Sequence, residues 1–204
     1  MSYFTARVKL LMLLIGLTLA TTTVNATEVK AAAAALFNGL EQSIGELYNT
    51  NQLTQDNLKA LLRIKLIPAS DTKYFAYKVL GKHLANMTAE QKLEFIEVLS
   101  QNLINSYSSV LVKYKNEKIV LGEPKIQPSG KIADVSVEIM TVNRPVKAVS
   151  KWLYNENLST WQIFDIVIEG ISLLQSKQAE INGSISRVGL AGTLEKLKQI
   201  NLAK

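Results

Sequence analysis

The run Trp161-Gln-Ile-Phe-Asp-Ile-Val-Ile-Glu-Gly-Ile-Ser172 constrains the fold of this chain more than any other stretch. Its first part reads as a strand that is apolar on both faces except at Asp165. Such a strand has to be covered on both sides. It ends in a Glu169-Gly170 corner and leads straight into an amphipathic helical pattern through Ile171, Leu174, Gln178 and Ile181. A covered strand that turns directly into a helix belongs to a fold in which helices pack on a sheet.

The segments before it set the kind of sheet. Extended patterns near 117–123, 131–141 and 145–155 precede the one at 160–169, separated by the turn signals Pro128-Ser-Gly130, Asn143-Arg-Pro145 and Asn155-Glu-Asn157. Links this short predict an antiparallel meander, because parallel neighbours need long crossovers. In the second segment Ala133, Val135, Val137 and Ile139 alternate with Asp134, Ser136 and Glu138, giving one apolar and one wet face. In the third, Val146, Ala148, Ser150 and Trp152 share a face that is small in its middle, and Lys147 and Lys151 stand on the other.

The first half has helical period. Ala33, Leu36, Phe37, Leu40, Ile44 and Leu47 predict a helix between Glu28 and Tyr48. Thr54-Gln-Asp56 opens a second one, which Pro68 should stop. Asp71 caps a third, and Thr88-Ala-Glu-Gln91 fits a capping box at the head of the longest. That helix presents Leu93, Ile96, Leu99, Leu103, Tyr107, Val110 and Tyr114 to the sheet it lies across. Past the sheet, a break at 183–192 leads to a last short helix with Leu194, Leu197 and Ile200. The expected class is α+β, with helices packed on one curved four-stranded antiparallel sheet. Helices span 28–115, the sheet 117–169 and C-terminal helices 170–201.

Residues 1–26 read as a secretory signal: a basic lead with Arg7 and Lys9, the apolar run Leu10 to Ala20, and the small-residue cleavage site Val24-Asn-Ala26. The run is far short of the roughly 20 residues that span a bilayer. Removing 26 of 204 residues leaves a single domain over 27–204 and lowers the formal charge from +6 to +4. A mildly positive surface favours approach to anionic membranes or acidic partners. No basic stripe interleaved with aromatics points to nucleic acid. The chain has no cysteine, which excludes disulfides and thiolate metal sites.

Catalytic constellations are sparse. His83 is the single histidine, so two-histidine catalysis and histidine-rich metal sites are excluded, and no Gly-x-Ser-x-Gly elbow is present. Asp165 and Glu169 share a side of an ideal strand but stand roughly 13 Å apart at ~3.3 Å per residue, too far for a coupled pair. The enzyme alternative is a hydrolase or isomerase with Asp165 or His83 as general base in an apolar pocket.

Several motifs, in order, carry a resemblance. Leu66-Ile-Pro68 with Asp71 and Val79-Leu-Gly81 look like a Leu-Leu-Pro turn and the helix after it. Thr88-Ala-Glu-Gln91-Lys-Leu with Phe95 is similar to a Thr/Ser-Pro-Ala-Gln-Arg helix start, with alanine in place of the proline. Phe164-Asp165-Ile-Val-Ile-Glu169-Gly170-Ile-Ser172 is similar to Tyr-Asp-x-x-x-Glu-Gly-Val-Ser, and Gly189-Leu-Ala-Gly192 with Leu194 and Leu197 to a closing glycine-containing helix. Together these resemble the toluene-tolerance family, the periplasmic phospholipid-binding components of the Mla (maintenance of lipid asymmetry) ABC transport system.

The resemblance implies a monomeric, non-catalytic periplasmic carrier of cone-like, nuclear-transport-factor-2-type architecture, needing no cofactor or metal. Its cargo is a glycerophospholipid, held with acyl chains between sheet and helices. Its partners are an inner-membrane ABC transporter bearing a ring of substrate-binding domains and an outer-membrane lipoprotein with its porin. Two chains of ~16 carbons expose about 30 methylenes, at ~0.8 kcal/mol each a cost on the order of 20 kcal/mol in water, so a carrier must shield them. The candidate lining is Ala133, Val135, Val137 and Ile139, then Val146, Ala148, Ser150 and Trp152, then Phe164, Ile166 and Ile168. The same rows also suit an ordinary filled core. Lys131 and Lys147, each beside a strand end, are the candidates for the head group, where a phosphate needs a cationic donor.

Overall fold

The computed structural model describes residues 20–113 and 116–203, with side chains from residue 26 on. The basic lead of the expected export signal and nearly all of its apolar run lie outside the described residues. Helix α1 (Ala20–Asn49) runs through Val24-Asn-Ala26, and Val29 is the first fully buried one among its described side chains. Helices α2 (Gln55–Ala69) and α3 (Thr72–Leu80) follow, then a 3-10 turn (Gly81–Asn86) and α4 (Ala89–Leu111). Next come β1 (Lys118–Leu121), β2 (Lys125–Ile126), β3 (Ile132–Met140), β4 (Val146–Asn155), β5 (Thr160–Ile168) and β6 (Ile171–Ser172), and α5 (Leu173–Leu202) closes the chain. The sheet is antiparallel throughout, in the order β1-β3-β4-β5-β6 with β2 also on β3. The class is α+β, as expected.

Six strands stand where four were expected, for two local reasons. Gly122 approaches β3 so closely that a Cβ on it would meet the Ser136 hydroxyl, and the segment Gly122 to Pro124 splits the edge strand into β1 and β2. At the other edge, Glu169 and Gly170 both take positive φ (49° and 84°), and this two-residue turn folds Ile171 and Ser172 back onto β5. Glu169 is pinned there by the Lys147 amide (2.9 Å) and Arg144 (3.2 Å), which hold its carboxyl below the usual range.

Helix α2 continues through Pro68 rather than stopping before it. The carbonyl that lacks the proline N–H is that of the exposed Ile64, while Ser70 closes the helix end: its amide bonds the Ile67 carbonyl (3.1 Å) and its hydroxyl the Leu66 carbonyl (2.6 Å). The capping box at Thr88 forms, with both reciprocal bonds present. The C-terminal break is a single residue, Gly189 (φ 72°, ψ 174°), in a region essentially restricted to glycine. Ser184 and Thr193 would be about 13 Å apart along a straight helix, yet their hydroxyls bond at 3.0 Å across this kink. The kink returns the last turns to α4, where Asn201 bonds the Val98 carbonyl (2.9 Å).

Two cores result. The first packs Val29, Ala33, Leu36 and Phe37 of α1 against one face of β3, β4 and β5. The second is purely helical, uniting Phe75, Val79 and Leu80 of α3, Phe95 and Leu99 of α4, and Ile181, Ile185 and Leu197 of α5. Leu93, expected on the inward stripe of α4, is 68% exposed, and Val110 is exposed too. The fully buried face of α4 is instead partly polar, carrying Asn102, Asn105 and Ser108 toward the end of α5.

Candidate functional site

A crevice opens where the two cores meet. It measures about 630 Å³ counting its open side, of which about 70 Å³ admits a water-sized sphere. Leu66 and Ile67 of α2, Phe75 of α3, Leu99, Leu103, Ile104 and Tyr107 of α4, Ile163, Phe164 and Ile166 of β5, and Leu173 of α5 line it. The edge of β5 explains its place. Asp71 bonds the Ile163 carbonyl through its amide (2.9 Å), and β6 pairs with Val167 and Ile168. Between these two covers, residues 164–166 are left facing the helices. A bulge adds to the opening: Trp152 pairs with Ile163 and Lys151 with Asp165, so Phe164 is the extra residue, turned edge-on to Tyr74 at 5.2 Å between ring centres.

The wall is apolar but for Ser70, Asp71, Thr72, Ser100, Tyr107 and Asp165. Asp165 is 6% exposed and engaged at both oxygens, accepting from the Ser172 hydroxyl (2.7 Å) and the Leu174 amide (2.9 Å). Ser172 in turn accepts from the Gln175 amide at 3.0 Å. The carboxylate thus anchors the start of α5, where its charge suits the helix N-terminus. Burial pushes the Tyr107 phenol up to about 12, with the charges of Asp165 and Glu180 adding to the effect. His83 sits half-buried in the 3-10 turn, outside the crevice wall. A general base must stand within reach of substrate; His83 lies outside this wall, and each oxygen of Asp165 already accepts a hydrogen bond from the start of α5. Among the described residues no group of His, Asp and Glu has the arrangement of a metal site.

The structure divides the candidate lining. Phe164 and Ile166 face the crevice. Ala133, Val135, Val137, Ala148 and Trp152 lie in the core beneath α1, with Ile168 packed at its border and Val146 and Ile139 half-buried. Ser150 is buried, donating to the Val135 carbonyl (3.1 Å) and accepting from the Trp152 indole (2.9 Å). Lys131 pairs with Glu156 (2.7 Å) at one end of β3–β4, and Lys147 stands beside Glu169 at the other. They are roughly 20 Å apart at ~3.3 Å per residue, so no single phosphate meets both. Ala148→Trp should overpack the α1 core and cost about 1–3 kcal/mol in a chemical-denaturation curve. An unchanged midpoint would mean that the α1 side yields space freely. The α2 and α4 walls were not singled out from the sequence, although the stripe of buried Leu99 and half-buried Leu103 and Tyr107 carried the signal.

Fold and crevice define an α+β domain in which sheet and helices enclose an apolar slot. Residues 40–199 match the family model described as MlaC protein, and the chain belongs to that family. This bears out the family resemblance carried by the sequence motifs. The chain is 25% identical over 175 residues to an intermembrane phospholipid transport system binding protein MlaC of Haemophilus influenzae, covering 84% of this chain and 79% of that one. A solved structure of a phospholipid-binding protein from Ralstonia solanacearum, in complex with a phospholipid, superimposes with a TM-score of 0.74 at 21% identity. The match covers 88% of this chain and 98% of that one, and establishes the shared fold.

Proposed function

We propose that this protein is a phospholipid carrier that takes the acyl chains of a glycerophospholipid into the crevice between its two cores. The observation that supports this most is the crevice itself: an apolar slot bounded by separate cores, in a member of the MlaC family. Its water-sized space of about 70 Å³ is well below the ~300–1,000 Å³ of ordinary ligand pockets, so loading requires the helical core to part from β5. Separate cores allow that, since neither has to be broken. In the full reading the protein is exported to the periplasm. There it shuttles lipid between an inner-membrane ABC transporter with its substrate-binding ring and an outer-membrane lipoprotein–porin complex, maintaining outer-membrane lipid asymmetry. No helix among the described residues is long and apolar enough to cross a membrane.

Native mass spectrometry of the purified protein should show about one phospholipid per chain, recoverable by organic extraction. Protein that is lipid-free and takes none from phosphatidylethanolamine–phosphatidylglycerol vesicles would end this reading.

A further inference from the structure

The crevice wall holds a polar group that the protein itself does not use. Ser70 and Ser100 donate their hydroxyls to the carbonyls of Leu66 (2.6 Å) and Ile96 (2.7 Å). Asp71 accepts from the Tyr74 amide (2.8 Å), and both oxygens of Asp165 are engaged at the start of α5. Among the described residues, the Tyr107 and Thr72 hydroxyls are the polar groups of this wall left without a hydrogen bond inside the protein. Tyr107 stands one helical turn beyond Leu103 on α4, half-buried, where Asp165 and Glu180 act on it electrostatically. Its oxygen is within reach of water, and when acyl chains displace that water a phenol against an apolar wall loses free energy unless something else accepts its proton. With its pKa raised to about 12, it is a donor at neutral pH.

What the acceptor can be is set by its surroundings. Asp165, whose hydrogen-bond partners are neutral, brings negative charge to the neighbourhood of the hydroxyl, and Glu180 adds to it although paired with Lys177 (2.6 Å); like charges repel strongly where water is scarce. A phosphate is disfavoured there. An ester carbonyl offers the same oxygen lone pairs without charge, and in a glycerophospholipid it stands where the acyl chains begin. The half-buried position of Tyr107, against the deeper Leu99 and Phe75, matches that junction.

We propose that the Tyr107 hydroxyl donates a hydrogen bond to an acyl ester carbonyl of the bound phospholipid, so that the site recognises the ester linkage as well as the chains. This rests on the carrier reading above. The test compares diacyl phosphatidylcholine with its dialkyl ether counterpart of equal chain length. The ether keeps the phosphate, head group and chains and lacks the carbonyls.

Delipidated protein should bind the diacyl lipid about 5–10-fold more tightly than the ether, the worth of one such bond. Tyr107→Phe should remove that preference by weakening the diacyl lipid alone, and Thr72→Val should keep it. Equal affinities in the unsubstituted protein would overturn the inference without any mutation. So would a preference that survives Tyr107→Phe, one that is lost in Thr72→Val, or an equal weakening of both lipids, which would assign the hydroxyl to the phosphate or to packing. Failure of the unsubstituted protein to bind either lipid would overturn the carrier reading and this inference together.

Discussion

Asp165→Ala is expected to lower stability by about 3–6 kcal/mol, because two hydrogen bonds to a buried carboxylate are lost at about 1.5–3 kcal/mol each. The loss is not confined to the strand. Asp165 joins β5 to the first turn of α5 through Ser172 and Leu174, so the substitution leaves a buried hydroxyl and a helix N–H without an acceptor. Asp165→Asn keeps one carbonyl oxygen for the Leu174 amide, and its loss should be clearly smaller. Urea unfolding of the delipidated proteins reads both, and delipidation matters because cargo that binds only the folded state adds its own stability. A loss below about 1 kcal/mol for Asp165→Ala would show that the α5 N-terminus caps itself without the carboxylate.

Strand positions were legible because alternation and turn residues are local signals. The structural bounds of β3, β4 and β5 fall within a residue or two of the expected ones, and the inward rows of β3 and β4 are the buried ones. The crevice was less legible, because it is assembled from α2, α3, α4, β5 and α5, and no single period reports a void between two cores. Hydropathy located the apolar rows correctly but could not say that α1 fills the space over Ala148 and Trp152. On α4 it located the inward residues Ile96, Leu99, Leu103 and Tyr107 but extended the stripe to the exposed Leu93 and Val110, and it missed the buried polar face of Asn102, Asn105 and Ser108. The role of Asp165 had a readable trace in Ser172-Leu-Leu-Gln175, the spacing of a helix N-cap, which here forms through the Ser172 hydroxyl. The Phe164 bulge had none, since both faces of β5 are apolar and register cannot be read from such a strand.

The second large effect is on cargo. Leu103→Trp places an indole in the crevice from the half-buried stripe of α4, into space that no protein atom holds. Filling a void commonly adds about 0.5–2 kcal/mol. The delipidated variant should therefore melt higher than the unsubstituted protein, by roughly 2–4 °C per kcal/mol for a domain of this size. At the same time the ring bars the slot to acyl chains, and lipid recovered per chain should fall at least tenfold. Ala148→Trp makes the opposite pattern, because its ring enters a filled core: stability drops, and whatever fraction stays folded keeps its lipid. The two variants together locate the cargo. A full lipid load in Leu103→Trp, with loading lost in Ala148→Trp, would move the acyl chains to the α1 side of the sheet.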